Sequence, residues 1–188
     1  MIRSFLNQDY GKGQEIANSI THGFGALLSI IGLIILLYIS IEKEDIWRIV
    51  SFAIYGATLI FLYVSSTLYH SVADKRKKYF FRIMDHIAIY LLIAGSYTPL
   101  TLILLRGPLG WIIFGVVWLI ALVGIFMKIF FFSKTKILSM ILYVIMGWLI
   151  VVATKSIISI FPNGMLYLMI VGGLCYSLGI IFYVISKI

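Results

Sequence analysis

The sequence predicts an all-α, polytopic transmembrane helical bundle. Three observations carry this reading. Of 188 residues, 62% are hydrophobic, the mean hydropathy is +1.10 and only seven are acidic, which is more apolar surface than a soluble globule could bury. The apolar residues gather into six continuous segments, each close to the ~20 residues that a helix needs to cross a hydrocarbon core ~30 Å thick. No two-residue alternation runs through these segments, and Gly and Pro fall at the joints, as Gly107 with Pro108 and as Pro162, Asn163 and Gly164.

Taken in order, the spans are expected near 19–41, 49–71, 83–105, 109–132, 137–154 and 165–186, within a single integral-membrane domain covering 1–188. The first is too long for a signal-peptide core, and no small-residue cleavage site follows before Glu42, Lys43, Glu44 and Asp45, so it is expected to stay in the mature protein. In the third, Pro99 should kink the helix, while Gly95 and Ser96 allow a neighbour close approach. In the sixth, Gly173 and Ser177 form a small-xxx-small pair. Cys175 is the single cysteine. It excludes a disulfide framework and a cysteine metal site, and it is expected to be a small packing residue. Trp47, Tyr69, Tyr79, Trp111 and Tyr167 stand at span ends, where interfacial anchors belong. Lys155 should snorkel to the outer face.

Orientation follows from Lys and Arg, because basic loops stay on the cytoplasmic side. One face carries Arg3, Lys12, Lys75, Arg76, Lys77, Lys78, Arg82, Lys128, Lys134, Lys136 and Lys187, eleven in all, and the other carries Lys43, Arg48, Arg106 and Lys155, which is four. Both termini are therefore expected on the cytoplasmic side of a cell membrane. The formal net charge of +8 then reads as a topology signal with attraction to anionic lipid. Nucleic acid is not an expected partner, since the basic residues are scattered along membrane edges. There is neither a glycine-rich phosphate loop nor an internal repeat.

Against this topology the rare polar residues converge. His22 enters the first span, Ser66 and His70 leave the second, and Asp85 with His86 enters the third, so all three histidines share one layer at the cytoplasmic end. Ionisable groups inside a membrane are costly and face the bundle interior, which makes a cluster of them a candidate site. Ser66 and His70, at i and i+4, stack on one helix face about 6 Å apart, while Glu15, Asn18 and His22 fall at i, i+3 and i+7 on another. Neutral imidazoles with a carboxylate and a hydroxyl are the groups that zinc ligation uses. Each residue alone also has a purely structural reading: an interfacial histidine, an acid in a first helical turn, or a hydrogen bond between helices.

The runs EIANSITHGFGALL, SFAIYGATLIFLYVSSTLYHS, RIMDHIAIYLLIAGSYTPLTL and GWLIVV resemble the hemolysin III family, the bacterial branch of the progestin and adiponectin receptor superfamily. The resemblance covers nearly the whole chain. It implies a seven-span bundle with zinc near the cytoplasmic face. His70, in the Ser66-x-x-x-His70 motif, would be a ligand; Asp85 would be a ligand or the group that orients water; and Ser66 would hold a ligand or donate to an oxyanion. Glu15, Asn18 and His22 match a further family pattern and, with His86, are assigned to pocket support. In relatives a seventh helix opening with His-x-x-x-His provides two more imidazoles. The chain ends at Ile188, where the break before that helix is expected, and contains no His-x-x-x-His, so it reads as truncated, with zinc bound weakly or not at all.

Two functions follow as expectations. The first is a zinc-dependent hydrolase acting on a lipid amide or ester, with membrane lipids as partners and substrate, as the family's similarity to alkaline ceramidases implies. The second is a pore-forming, hemolytic protein or a nonenzymatic membrane-stress regulator. The polar groups gather at one end and no polar stripe runs the depth of any span, which disfavours a pore. A cysteine introduced at Lys75–Lys78 should resist membrane-impermeant thiol reagent in intact cells, and ready labelling there would reverse the orientation.

Overall fold

The computed structural model describes residues 11–185, so Arg3 and Lys187 of the charge count, and the last position of the sixth expected span, lie outside the described residues. The chain runs α1 (Lys12–Glu42), α2 (Ile46–Ser71), α3 (Lys75–Pro99), a π-helical turn (Leu100–Leu104), α4 (Pro108–Phe131), α5 (Lys136–Trp148), a 3₁₀ turn (Leu149–Ala153), α6 (Thr154–Ile160) and α7 (Asn163–Ile185). Six stretches among these residues are long and apolar enough to cross a membrane. The third joins α3 to the π turn, and the fifth joins α5, the 3₁₀ turn and α6 over Lys136–Ile160. The first helix begins at Lys12 rather than at 19, because its opening turns are amphipathic and a hydropathy reading does not see them.

Local chemistry sets the boundaries. The Asp45 carboxylate accepts from the Trp47 and Arg48 amides at 3.0 and 3.3 Å, and Asp74 accepts from those of Arg76 and Lys77 at 3.1 and 2.9 Å, so α2 and α3 start with capped amides. Gly107 takes φ 146°, a conformation that a Cβ would strain, and Pro108 follows at the first helical position, where its missing N–H is harmless.

The packing is inverted relative to a soluble protein. Ile20, Phe24, Leu119, Phe126, Ile158 and Leu168 are more than half exposed, whereas Ser40, Ser51, Ser66, Thr98, Thr101 and Ser139 are buried. Apolar side chains turned outward are what lipid tails solvate, and small residues inside let backbones approach. Several hydroxyls return to their own helix: Ser40 to Leu36 O at 2.6 Å, Thr98 to Ala94 O at 3.0 Å and Thr101 to Tyr97 O at 2.8 Å.

The third span is the axis, with half of its apolar window buried. Tyr90, Ala94 and Tyr97 pack against Ile113, Val117 and Ala121 of α4, Met146 of α5, and Ala153 and Ile157 beyond it. Pro99 acts as expected, in that regular α-helix stops there and the π turn takes over. The fifth span has a comparable break. Tyr97 repairs it, its hydroxyl donating to Gly147 O at 3.1 Å and accepting from Ile150 N–H at 2.9 Å. An apolar cavity of about 450 Å³ lies beside Tyr97, between α3, α5, α6 and α7.

Three expectations are corrected. Cys175 is exposed and points away from the packed interior, because it lies on an outward face of α7. Tyr69 is buried, with 6% of its surface accessible, because the Lys78 ammonium lies 5.3 Å from its ring; it is a core residue rather than an anchor. The Ser177 hydroxyl donates to Gly173 O at 2.8 Å and accepts from Trp148 Nε1 at 3.2 Å, so this pair joins α7 to α5 through a hydrogen bond rather than by bare close approach.

A Cβ at Gly124 would run into the ring of Tyr90, which is fully buried and cannot yield. Gly124→Ala should therefore lower stability by about 1–3 kcal/mol. Gly115→Ala in the same helix, where a Cβ meets open space, should be neutral or mildly stabilising in thermal unfolding of the detergent-solubilised protein.

Candidate functional site

The site forms where the amino-terminal end of α1, the carboxyl-terminal end of α2 and the amino-terminal end of α3 meet. Antiparallel packing of α1 on α2, and of α2 on α3, brings these ends together. Glu15 is the hub. One carboxylate oxygen, Oε2, pairs with His70 Nδ1 at 2.7 Å, and the other, Oε1, accepts from Lys78 Nζ at 2.7 Å. The His70 side chain is 8% exposed and that of Glu15 16%, so the pair is largely withdrawn from solvent and lipid. With Nδ1 held by Glu15, the nitrogen with which His70 could ligate a metal is Nε2, which is how carboxylates orient ligating imidazoles.

Behind this pair, the His22 ring stacks on His70 at 6.0 Å with an interplanar angle of 16°, and lies 5.8 Å from Tyr63. His22 Nδ1 is buried with no hydrogen-bond partner among the described residues. On the α3 side, the Ser66 hydroxyl hydrogen-bonds the Asp85 carboxylate, which also feels the charges of His70 and Arg82. Ser66 is buried, so its hydroxyl is committed to that acid. His86 turns toward α4. Its Nδ1 donates to Arg82 O at 2.8 Å and stands 3.8 Å from Asp85 Oδ2, while its ring packs on Phe132 at 5.1 Å.

The structure thus brings together Glu15, His22, Ser66, His70 and Asp85. Asn18 is half-buried, and its backbone carbonyl accepts from the Thr21 hydroxyl at 3.1 Å; His86 looks out of the group. Lys78 and Tyr63 were not foreseen as parts of it. Lys78 belongs to the basic run that sets topology, and Tyr63 lies just under one helical turn before Ser66, so neither carried a separate signal in the sequence. Among the described residues no group of three or more His, Cys, Asp or Glu side chains is placed to hold a metal ion.

Comparison with known proteins fits this geometry to a family. The sequence profile described as "Haemolysin-III related" matches residues 10–187. The chain belongs to the haemolysin-III related family. It is 46% identical over 175 residues to the "Hemolysin-3 homolog" of Bacillus subtilis (strain 168), covering 93% of this chain and 82% of that protein. It is equally identical to "Hemolysin-3" of Bacillus cereus, covering 80% of that protein. The human "Monocyte to macrophage differentiation factor" is 30% identical over 175 residues, covering 90% of this chain and 71% of the relative. No solved structure matches the chain. For this haemolysin-III family member the expected motif residues Glu15, Ser66, His70 and Asp85 do meet in space, though they come from three helices.

Removing the hub should expose its role. Glu15→Ala removes the carboxylate that both His70 and Lys78 contact and should cost about 2 kcal/mol, a drop of roughly 4–8 °C in unfolding temperature. Lys78→Met should cost less, about 0.5–1 kcal/mol, because Lys78 is the more exposed partner. Equal losses would mean that the His70 bond contributes little.

Proposed function

We propose that this haemolysin-III family protein is a membrane-embedded hydrolase of lipid amide or ester bonds that uses zinc. Both termini lie on the cytoplasmic side in this reading. The observation that carries it is the pairing of two oriented groups at one end of the bundle: His70 held by Glu15, and Asp85 held by Ser66. Such carboxylate and hydroxyl partners fix ligand orientation and raise ligand basicity. His70 and Asp85 fit two positions of a zinc site, where three or four ligands are needed. The remaining ligands would come from a seventh helix opening with His-x-x-x-His, as the family resemblance implies.

Zinc bound at such a site supplies a water acidic enough to attack a carbonyl near neutral pH. The chain's own residues have separate tasks. His70 presents Nε2 while Glu15 retains Nδ1. Asp85 orients a nucleophile or takes its proton, and Ser66 keeps the carboxylate in place. The buried setting excludes bulk water, which strengthens each of these interactions. The apolar cavity between α3, α5, α6 and α7 has the character that an acyl chain requires. A cytolytic reading has one point in its favour, the name of the Bacillus cereus relative. The one-ended polar cluster supports the hydrolase reading instead.

Elemental analysis after dialysis tests the proposal. The 188-residue chain should hold little zinc, and a fusion carrying a His-x-x-x-His seventh helix should hold one equivalent. In that fusion His70→Ala should weaken binding most, Asp85→Ala next and Ser66→Ala least, with the outer partners costing on the order of 10- to 100-fold. Affinity should fall away below about pH 6, where free imidazole protonates. A metal-free fusion would remove the hydrolase reading and leave the cytolytic one.

A further inference from the structure

The basic run at the start of α3 is not uniform. Lys75, Arg76 and Lys77 are exposed, whereas Lys78 is partly buried. The Asp74 cap fixes this difference, because its carboxylate holds the Arg76 and Lys77 amides and its carbonyl accepts from Lys78 N–H at 2.8 Å, which starts the helix in one register. Lys78, Arg82 and Asp85 then fall at i, i+4 and i+7 on one face, the face that carries Asp85 to Ser66. From there the Lys78 side chain reaches two other helices. Its ammonium lies 5.3 Å from the Tyr69 ring of α2 and 2.7 Å from Glu15 Oε1 of α1.

Both residues that the Lys78 ammonium meets also meet His70. The Tyr69 ring lies 4.6 Å from the imidazole, and Glu15 Oε2 holds its Nδ1 at 2.7 Å, while the His22 ring stacks behind. Accessible side-chain surface falls from 28% at Lys78 to 16% at Glu15 and 8% at His70, so Lys78 is the outermost layer of the three. It is also the layer that moves most cheaply. Tyr69 and His22 are rings set in the seam of α1 and α2, whereas a lysine swings on a flexible four-carbon stem and can leave Glu15 without unpacking a helix. A partly exposed ion pair is weak and is screened by salt, so the open arrangement is readily reached.

We propose that Lys78 is a strap across the entrance to His70, and that solutes from the aqueous side, the proposed metal ion among them, reach the imidazole only after the strap has left Glu15. The inference deepens the reading of His70 as a metal ligand, and it rests on that reading only for the identity of the incoming group. For a metal ion, charge adds to the obstruction. The ammonium repels a second cation at the entrance, and it occupies Glu15 Oε1, an oxygen that would otherwise attract one.

The test is the rate at which diethyl pyrocarbonate acylates His70 in the 188-residue chain, in neutral detergent without added metal at about pH 8, where free imidazole is neutral. Peptide mass spectrometry follows each histidine separately. Lys78→Met should raise the His70 rate roughly 2- to 5-fold, the size that a partly exposed pair permits, and leave the rate at His86, which packs on Phe132, unchanged. Lys78→Arg should restore the parent rate, and Lys77→Met, at an exposed position of the same turn, should not alter it. Raising NaCl from about 0.05 to about 0.5 M should accelerate His70 in the parent by a similar factor and add nothing in Lys78→Met. A His70 rate unchanged in Lys78→Met, or indifferent to salt in the parent, would overturn the proposal. So would an equal gain from Lys77→Met, which would mean general surface charge, or an equal rise at His86, which would mean a loosened bundle. Because no metal takes part, a chain that never binds zinc leaves this result standing, and a failed strap leaves the zinc reading untouched.

Discussion

The constraint on which the rest of this molecule depends is the absence of water from the bilayer core. Every backbone polar group within the spans has to find its partner inside the protein. This explains why α1 to α7 are helices, and also why their interruptions fall where they do. At Pro99 the backbone shifts into a π turn, in which Leu105 N–H reaches Leu100 O at 2.9 Å. At the 3₁₀ segment of the fifth span the repair comes from outside the helix, through the hydroxyl of Tyr97 on α3. Irregular backbone survives at that depth because a phenol from a neighbouring helix serves both its donor and its acceptor.

The same constraint acts on charge. Glu15 could not stand alone in the first span, and its two oxygens divide between His70 and Lys78. The arrangement ties α1 to α2 and to the start of α3 with a single carboxylate. It also determines which face of the His70 imidazole is turned inward. Stability and site geometry therefore share one cause, since the ion pair that closes the end of the bundle is the one that aims the histidine.

The sequence made the fold legible for the same physical reason. Continuous apolar runs have no stable soluble alternative, so the six spans could be read from hydropathy and from Gly and Pro at the joints. The amphipathic opening of α1 and the continuation of the fifth span to Ile160 were not legible, since both depend on which face is turned inward. The site was legible in part. Glu15, Ser66, His70 and Asp85 stood out as rare polar residues at one depth, and a histidine four residues after a serine defines a face. Lys78 and Lys128 did not stand out, because a lysine at a membrane edge reads as topology. Only packing separates a lysine that sits in headgroups from one that is 98% withdrawn, as Lys128 is by its 2% exposure. Cys175 and Tyr69 were misread for the matching reason: neither composition nor position in a span reports which way a side chain faces.

Tyrosine hydroxyls carry the structure from the outer helices back to the site. Tyr176 of α7 donates to the Tyr143 carbonyl at 2.8 Å, and Tyr143 of α5 donates to the His86 carbonyl at 3.0 Å. His86 is bonded in turn to the Arg82 carbonyl one turn earlier, and Asp85 lies between them in the chain. A phenol fits this task because its ring packs among apolar groups while its hydroxyl saturates a carbonyl, at the cost of little conformational freedom. The helix that presents Asp85 is thus held from one side by Ser66 of α2 and from the other by Tyr143 of α5. Both contacts end at neighbouring residues of α3, Asp85 and His86. The short segment that presents the acid is therefore tied to α2 and to α5 at once.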